Sequence, residues 1–330
     1  MSAPYYTGRE AELADLFGAR EVIVADDHLV VDGRRLPVVD DVIVALPSDR
    51  LPGGTGGETY APDVQRSFGA EWTAHPEILP EHRAEFDAYF DLVDLEQLRG
   101  ARVADLGCGS GRWASFVAPH CDELVVVDFS DAIFVARRNL AEHRRTIFVM
   151  ADVLDLPFRP DAVDFAYCLG VLHHLPVDAL GACRRLAPLA PRLLVYLYYA
   201  LDNRPWHFRL LLRPVTAARR VLSRVTGERT RAVLTWLIAL TVYLPLALAG
   251  RAARRLRAGR FVPLGETYAD STVARMRQDV YDRFFTPIEQ RFSRADIATL
   301  DDTFDRVAVS PGLPYWHFLC ERAARSPAAE

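Results

Sequence analysis

The chain has 330 residues, half of them apolar and a quarter charged, with a formal net charge of −5. That composition excludes a disordered chain, and the length exceeds one minimal doubly wound domain, so about two units are expected. The five cysteines, at positions 108, 121, 168, 183 and 320, form no C-x-x-C pair and fall mostly in apolar segments, which argues against a zinc site and a disulfide framework.

The first ten residues show no basic start followed by an apolar run, so secretion is not expected and the cytoplasm is the default location. Residues 21–46 alternate short Val/Ile runs with Asp-Gly and Pro turns, the pattern of a small antiparallel β unit. Residues 51–59, rich in glycine, read as a flexible linker and a boundary. The stretches 64–72 and 81–90 then read as helices.

From Ala101 strands near 101–106, 123–128, 146–150, 162–168 and 191–198 alternate with helices. Such alternation implies a parallel sheet with right-handed crossovers and a ligand at the carboxyl ends of its strands. The first of these strands carries Asp105 into Gly107, Cys108, Gly109, Ser110 and Gly111, and the chain then enters the helix Arg112–Val117. Glycines so placed let the backbone turn tightly and press its N–H groups against a ligand, and the helix start adds positive dipole for an anionic group.

A phosphate-cradling P-loop would end in Gly-Lys-Ser/Thr, but Gly111 is followed by Arg112 and Trp113. A G-x-G-x-x-G loop begun at Gly107 would need glycine at position 112. Begun at Gly109 it would need glycine where Ala114 stands. Asp128, at the end of the next strand and 21 residues after Gly107, has the spacing of a ribose-binding carboxylate.

After Tyr199 the alternation breaks into a helical insert. All 39 basic residues of the chain are arginine, which reads as codon bias of a GC-rich genome. Their distribution is more informative: between Arg204 and Arg260 thirteen arginines face one acid, Glu228, so this segment carries about +12 and the remainder about −17. Inside it, residues 232–250 contain no charge and just reach the roughly 18 to 20 residues that span a bilayer. Pro245, arginine on both flanks and strands that resume afterwards argue against a span. A buried helical hairpin capping the active site is the preferred reading, and an interfacial element resting on lipid is the second. Ser293 to Asp296 reads as a capping-box helix start, followed by strands at 307–310 and 315–320.

The segment 103–111, with its acid two residues before the first glycine, resembles the first motif of class I S-adenosylmethionine (SAM) dependent methyltransferases, of the type 11-like kind. The resemblance implies an α/β, Rossmann-like, seven-stranded sheet with an antiparallel end, a small N-terminal β unit and a helical insert after the fifth strand. It also implies SAM as the cofactor. The implied cofactor site comprises Asp105, Gly107, Cys108, Gly109, Gly111, Asp128 for the ribose hydroxyls, Phe129 beside adenine, Asp152 for the adenine amino group, Val153 and Leu169. Residues 32–40 resemble the zinc-ribbon-like module that precedes some methyltransferase domains, without its cysteines, so a structural or docking role is expected there.

The expected division is 1–50 β module, 51–100 linker and helical cap, 101–200 SAM-binding core, 201–290 arginine-rich substrate lid, and 291–330 the rest of the core sheet. Tyr60, Phe68 and Trp72 could line the pocket or pack in the core. His173 and His174 follow the fourth strand, and His174 is the candidate general base, against a cofactor-framing role for the pair. Tyr198, Tyr199, Arg277, Asp279 and Asp282 are further candidates for substrate contact.

An apolar, cationic lid suits a small amphiphilic or natural-product-like acceptor methylated at oxygen or carbon, with possible lipid contact through 204–260. RNA or protein methylation, or a SAM-binding regulator without catalysis, are the alternatives. The uninterrupted apolar run argues against a nucleic-acid surface.

Overall fold

The computed structural model describes residues 5–51, 62–225, 227–286 and 288–323. They divide into two compact units, Met1–Tyr198 with Arg294–Glu330, and Tyr199–Ser293.

In the first unit, α1 (Glu10–Phe17) precedes β1 (Val22–Val24), β2 (His28–Val31), β3 (Arg34–Val39) and β4 (Val42–Val44), each strand antiparallel to the next. Asp32 and Gly33, with φ of 45° and 82°, make the two-residue turn that Asp-Gly favours between β2 and β3. Asp40 and Asp41 repeat it at 47° and 65° without a glycine, which short Asx side chains tolerate.

The helices α2 (Pro62–Ala74) and α3 (Glu81–Tyr89) lead into the alternating part: β5 (Arg102–Leu106), α4 (Arg112–Val117), β6 (Glu123–Asp128), α5 (Ala132–Asn139), β7 (Thr146–Met150), β8 (Phe165–Leu169), α6 (Ala179–Leu186) and β9 (Arg192–Tyr196). The closing pair is β10 (Arg306–Val309) and β11 (His317–Glu321), antiparallel to each other, with β11 antiparallel to β9. Strands β5 to β9 are mutually parallel, so their carboxyl ends share one edge.

The sheet order is β1-β2-β3-β4-β7-β6-β5-β8-β9-β11-β10. The last seven strands are the expected sheet. The N-terminal strands, however, do not form a separate module, because β4 pairs parallel to β7 in the register Val42↔Phe148, Ile43↔Val149 and Val44↔Met150 and extends the sheet to eleven strands. All three residues of β4 are buried, the signature of a strand covered on both faces rather than of an exposed hairpin. Tyr6 ties the join: its hydroxyl donates to Asp41 O at 2.7 Å and accepts the Phe148 N–H at 3.1 Å. No group of three or more metal-ligating side chains occurs among the described residues, and the zinc-ribbon likeness goes no further than the turn sequence.

The core beneath the alternating strands buries Phe86, Phe90, Val126, Phe148, Phe165 and Tyr167 in one cluster. Each large apolar side chain there contributes about 1.5–3 kcal/mol relative to exposure.

The second unit is helical: α7 (Trp206–Leu222), α8 (Glu228–Ile238), α9 (Leu244–Arg255), α10 (Gly265–Tyr268) and α11 (Val273–Phe285). The expected hairpin in 232–250 is not formed. A π turn, Ala239–Tyr243, joins α8 to α9, and Arg229–Arg255 is one helix of 27 residues. Pro245 sits in the first turn of α9 directly after that wider turn, where its missing N–H and its ring are accommodated without breaking the helix. Nor is the segment buried as expected: only 22% of its apolar window is inside. Ala239, Tyr243 and Ala247 face inward against Tyr268, Met276, Val280 and Phe285. Gly250 meets Gly265 backbone to backbone, and a Cβ on Gly250 would lie 2.3 Å from Gly265 Cα. Tyr199 and Phe292 pair in a parallel bridge, and the Ala200 N–H donates to Phe292 O at 2.8 Å, so the chain enters and leaves this unit side by side.

Candidate active site

At the carboxyl edge of β5 the loop Gly107–Gly111 turns with φ of 80°, 54° and 76° at its three glycines. The neighbours explain why side chains are excluded. A Cβ on Gly107 would lie 2.4 Å from Val171 Cγ2, and one on Gly109 2.8 Å from the Trp72 indole. Close approach, rather than free N–H groups, is what the loop offers. The Gly107 and Cys108 N–H groups donate to Val127 O at 2.8 and 2.9 Å, and the Gly111 N–H donates to Cys108 O at 2.9 Å. The Gly109 N–H donates to Asp128 Oδ2 at 3.0 Å. The expectation that these donors face a ligand is therefore corrected: all four hold the turn itself.

Asp128 ends β6 and is buried. Its Oδ1 accepts the Ser130 N–H at 2.9 Å and the Ser130 hydroxyl at 2.6 Å. Burial raises its pKa above the usual carboxylate range, against the pull of those donors. Asp105 is more extreme. It lies within the sheet, in register with Tyr167 of β8, and burial pushes its carboxyl up to about 8. It is 1% exposed. Cys108 is likewise buried, and burial drives its thiol well up.

Two residues outside the predicted set lock the rim. Gln65 of α2 is buried and donates through Nε2 to Arg50 O at 3.1 Å and to Phe129 O. Arg50 donates to Asp152 Oδ2 at 3.4 Å, while Asp152 Oδ1 accepts the Leu154 N–H at 2.9 Å. Burial raises the pKa of Asp152, with Arg50 opposing. Asp155, 71% exposed, meets the same guanidinium at 3.9 Å and stays at the surface. Val153, just past β7, and Leu169, at the end of β8, are buried.

Past β8, Gly170 turns with φ of 81° and a short 3₁₀ turn, Leu172–His174, follows. His173 stacks on Tyr198 with ring centroids 4.0 Å apart and an interplanar angle of 26°. His174 lies 5.4 Å from Phe68 of α2 and 5.5 Å from Tyr198, and both imidazoles are buried. Tyr196, at the end of β9, closes the group 5.9 Å from Tyr198 and 5.1 Å from Tyr89 of α3. Arg112, the first residue of α4, is sandwiched between the Trp72 and Trp113 rings at 4.8 and 4.5 Å. Of the pocket aromatics expected before β5, Phe68 and Trp72 meet the loop or the histidines. Tyr60 lies outside the described residues.

The other expected substrate contacts lie in the second unit. Arg277 covers the Trp236 ring at 4.3 Å, Asp279 pairs with Arg275 and with Arg283, and Tyr199 O accepts from Arg291 at 3.2 Å. The side chain of Asp282 is not among those described.

Residues 103–189, which hold the loop, Asp128, Asp152 and His174, match the methyltransferase domain family. The match is to a methyltransferase domain and covers this segment alone. Over 66 residues the chain is 41% identical to the demethylmenaquinone methyltransferase of Clavibacter sepedonicus, 20% of this chain and 27% of that protein. It is 27% identical over 168 residues to the ubiquinone biosynthesis O-methyltransferase of Hahella chejuensis (strain KCTC 2396), 48% of this chain and 67% of that one. The human protein named probable tRNA methyltransferase 9B is 27% identical over 118 residues, 34% of this chain and 24% of that one. The chain thus spans about a quarter of the length of the first and last of these relatives. Among solved structures, a SAM dependent methyltransferase from Aquifex aeolicus aligns at 16% identity and a TM-score of 0.35, over 44% of this chain and 86% of that one.

Proposed function

We propose that this protein transfers the methyl group of SAM to a small amphiphilic acceptor, at oxygen or carbon. The observation that carries the reading is the meeting of the glycine loop, the Asp128 carboxylate and the wall of Phe68, His174 and Tyr198 along one edge of parallel strands. The residues fit the cofactor. The glycine loop packs closely against Val171 and Trp72, and beside it Asp128 would meet ribose hydroxyls and Asp152 the adenine amino group next to Phe129.

When bound, SAM supplies an electrophilic methyl on its sulfonium. Methyl transfer then asks little covalent help of the chain, which must hold donor and acceptor in line and exclude water. The packed rings of Phe68, His173, His174, Tyr196 and Tyr198 would provide that dry wall. His174 is the candidate to receive a proton from a hydroxyl or carbon acid.

The acceptor class rests on the second unit, whose surface combines arginine with apolar residues, and on two relatives named for quinone methylation. We place its action in the cytoplasm, peripheral to the membrane, with residues 201–290 serving the acceptor and 204–260 meeting lipid. The tRNA methyltransferase relative favours RNA as a second reading. Incubation of the full chain with methyl-labelled SAM and a cell extract, followed by mass identification of the product, tests all of this. Label in lipid-soluble products supports the proposal, label in RNA or protein transfers it to the second reading or to protein methylation, and SAM binding without label leaves a regulator.

A further inference from the structure

The second unit carries more exposed apolar surface than its own packing explains. On α7, Trp206, Leu210, Ala217 and Val221 recur at i, i+4, i+11 and i+15, one stripe of the helix. Trp206, Leu210 and Val221 are 70%, 50% and 66% exposed. Arg209, Arg213, Arg220 and, just past the helix, Arg224 repeat the same spacing three residues later, and all four are exposed. Among the described residues no acid pairs with them. Other arginines of the segment are engaged: Arg219 with Glu289 at 3.6 Å, Arg231 with the Tyr281 hydroxyl at 3.1 Å, and Arg254 with Asp270 at 2.8 Å. The four on the stripe are therefore a distinct, outward set.

The rod formed by α8 and α9 adds a second exposed apolar face, with Val233, Leu237, Leu240 and Leu248 exposed by 46% or more. Contiguous apolar surface of this kind marks a partner. By length the rod could cross a bilayer. Topology excludes it: Tyr199 and Phe292 are paired, so a crossing would need a return, and α11, which follows, is 13 residues long and carries Arg275, Arg277, Asp279 and Arg283.

We propose that the second unit docks on the surface of an anionic bilayer through the paired stripes of α7 and the outer face of the rod, without spanning it. Charge complementarity selects this occupant. The segment 204–260 holds about +12 while the rest of the chain holds about −17, so an anionic surface attracts one and repels the other. A second copy docked face to face would bring two +12 segments together, and a nucleic acid would leave Trp206, Leu210 and the rod's leucines in water. The inference rests on the lipid contact in the proposed function but does not require methyl transfer.

The test uses the full chain with phosphatidylcholine vesicles, with and without phosphatidylglycerol. Binding to the phosphatidylglycerol vesicles alone, released by high salt and by alkaline carbonate, is expected. Each stripe arginine should contribute about fivefold to partition. Arg209→Gln, Arg213→Gln and Arg220→Gln combined should therefore lower it about a hundredfold, and Trp206→Ser with Leu210→Ser should also weaken it, both with SAM binding intact. No binding to anionic vesicles, binding untouched by these surface changes, carbonate-resistant insertion, or salt-sensitive RNA retention with vesicles ignored would each overturn docking. Vesicle binding by a chain that fails to bind SAM would sink the methyl-transfer reading and leave the docking standing.

Discussion

The Asp128 carboxylate accepts the Gly109 N–H at 3.0 Å, so the acid that ends β6 fixes the loop that follows β5. One side chain thereby holds the turn, and in the proposed function the same carboxylate meets the ribose. Asp128→Asn keeps the shape but loses the charge and turns an N–H toward donors at Gly109 or Ser130. A charge-assisted hydrogen bond of this kind contributes about 1.5–3 kcal/mol. The dissociation constant for SAM, read by titration calorimetry, should rise about ten- to a hundredfold, and an unchanged constant would remove Asp128 from the cofactor site.

Gly107 is held by space as well as by φ. An alanine there would push into Val171 at 2.4 Å and sit in the left-handed region. Gly107→Ala should cost about 2–5 kcal/mol of stability, combining overpacking with the backbone penalty. Adding Val171→Ala makes room but does not change φ, so denaturant unfolding of the double variant should recover only part of the loss. Full recovery would mean that the loop's positive φ carries no cost.

The strand ends of β5, β6 and β8 were legible because these are apolar runs closed by glycine or an acid, and Asp32-Gly33 names its own turn. What local pattern could not show were contacts far apart in sequence. Gln65 reaches Phe129 O across 64 residues, and Arg50 reaches Asp152 across 102. Each is a single polar residue beside the glycine-rich linker, with nothing in its neighbours to mark it. The joining of β4 to β7 was also hidden, although the unbroken Val42-Ile43-Val44 run carried the hint of a strand covered on both faces. Pro245 misled for a physical reason, since a π turn before it absorbs what an ideal α-helix would not.

Asp105 gives the fold a pH dependence. In the unfolded chain its carboxyl ionises near the ordinary value of 3.8, and in the fold burial holds the proton to about 8. Between those values the folded form binds more protons, so stability falls as pH rises through the window and levels off above it. The loss should be on the order of a few kcal/mol. Asp105→Asn, neutral at every pH, should flatten that slope in denaturant titrations. A slope that Asp105→Asn leaves unchanged would show that Asp105 ionises near its ordinary value.

His174 separates framing from catalysis. Its ring is 1% exposed, 4.2 Å from His173 and flanked by Phe68 and Tyr198, an environment that fixes an imidazole in place and walls off water. A residue that only shapes the wall should cost less than about tenfold in turnover when replaced by a side chain of similar length, whereas a general base contributes about 10²–10⁴-fold. For His174→Gln the expected result is the smaller loss, with SAM affinity kept and the pH–rate profile unmoved. A loss of the larger size, together with disappearance of the acidic limb of that profile, would make His174 the group that takes the acceptor's proton. Its neighbour His173, stacked face to face on Tyr198, would then be left as the positioning residue of the pair.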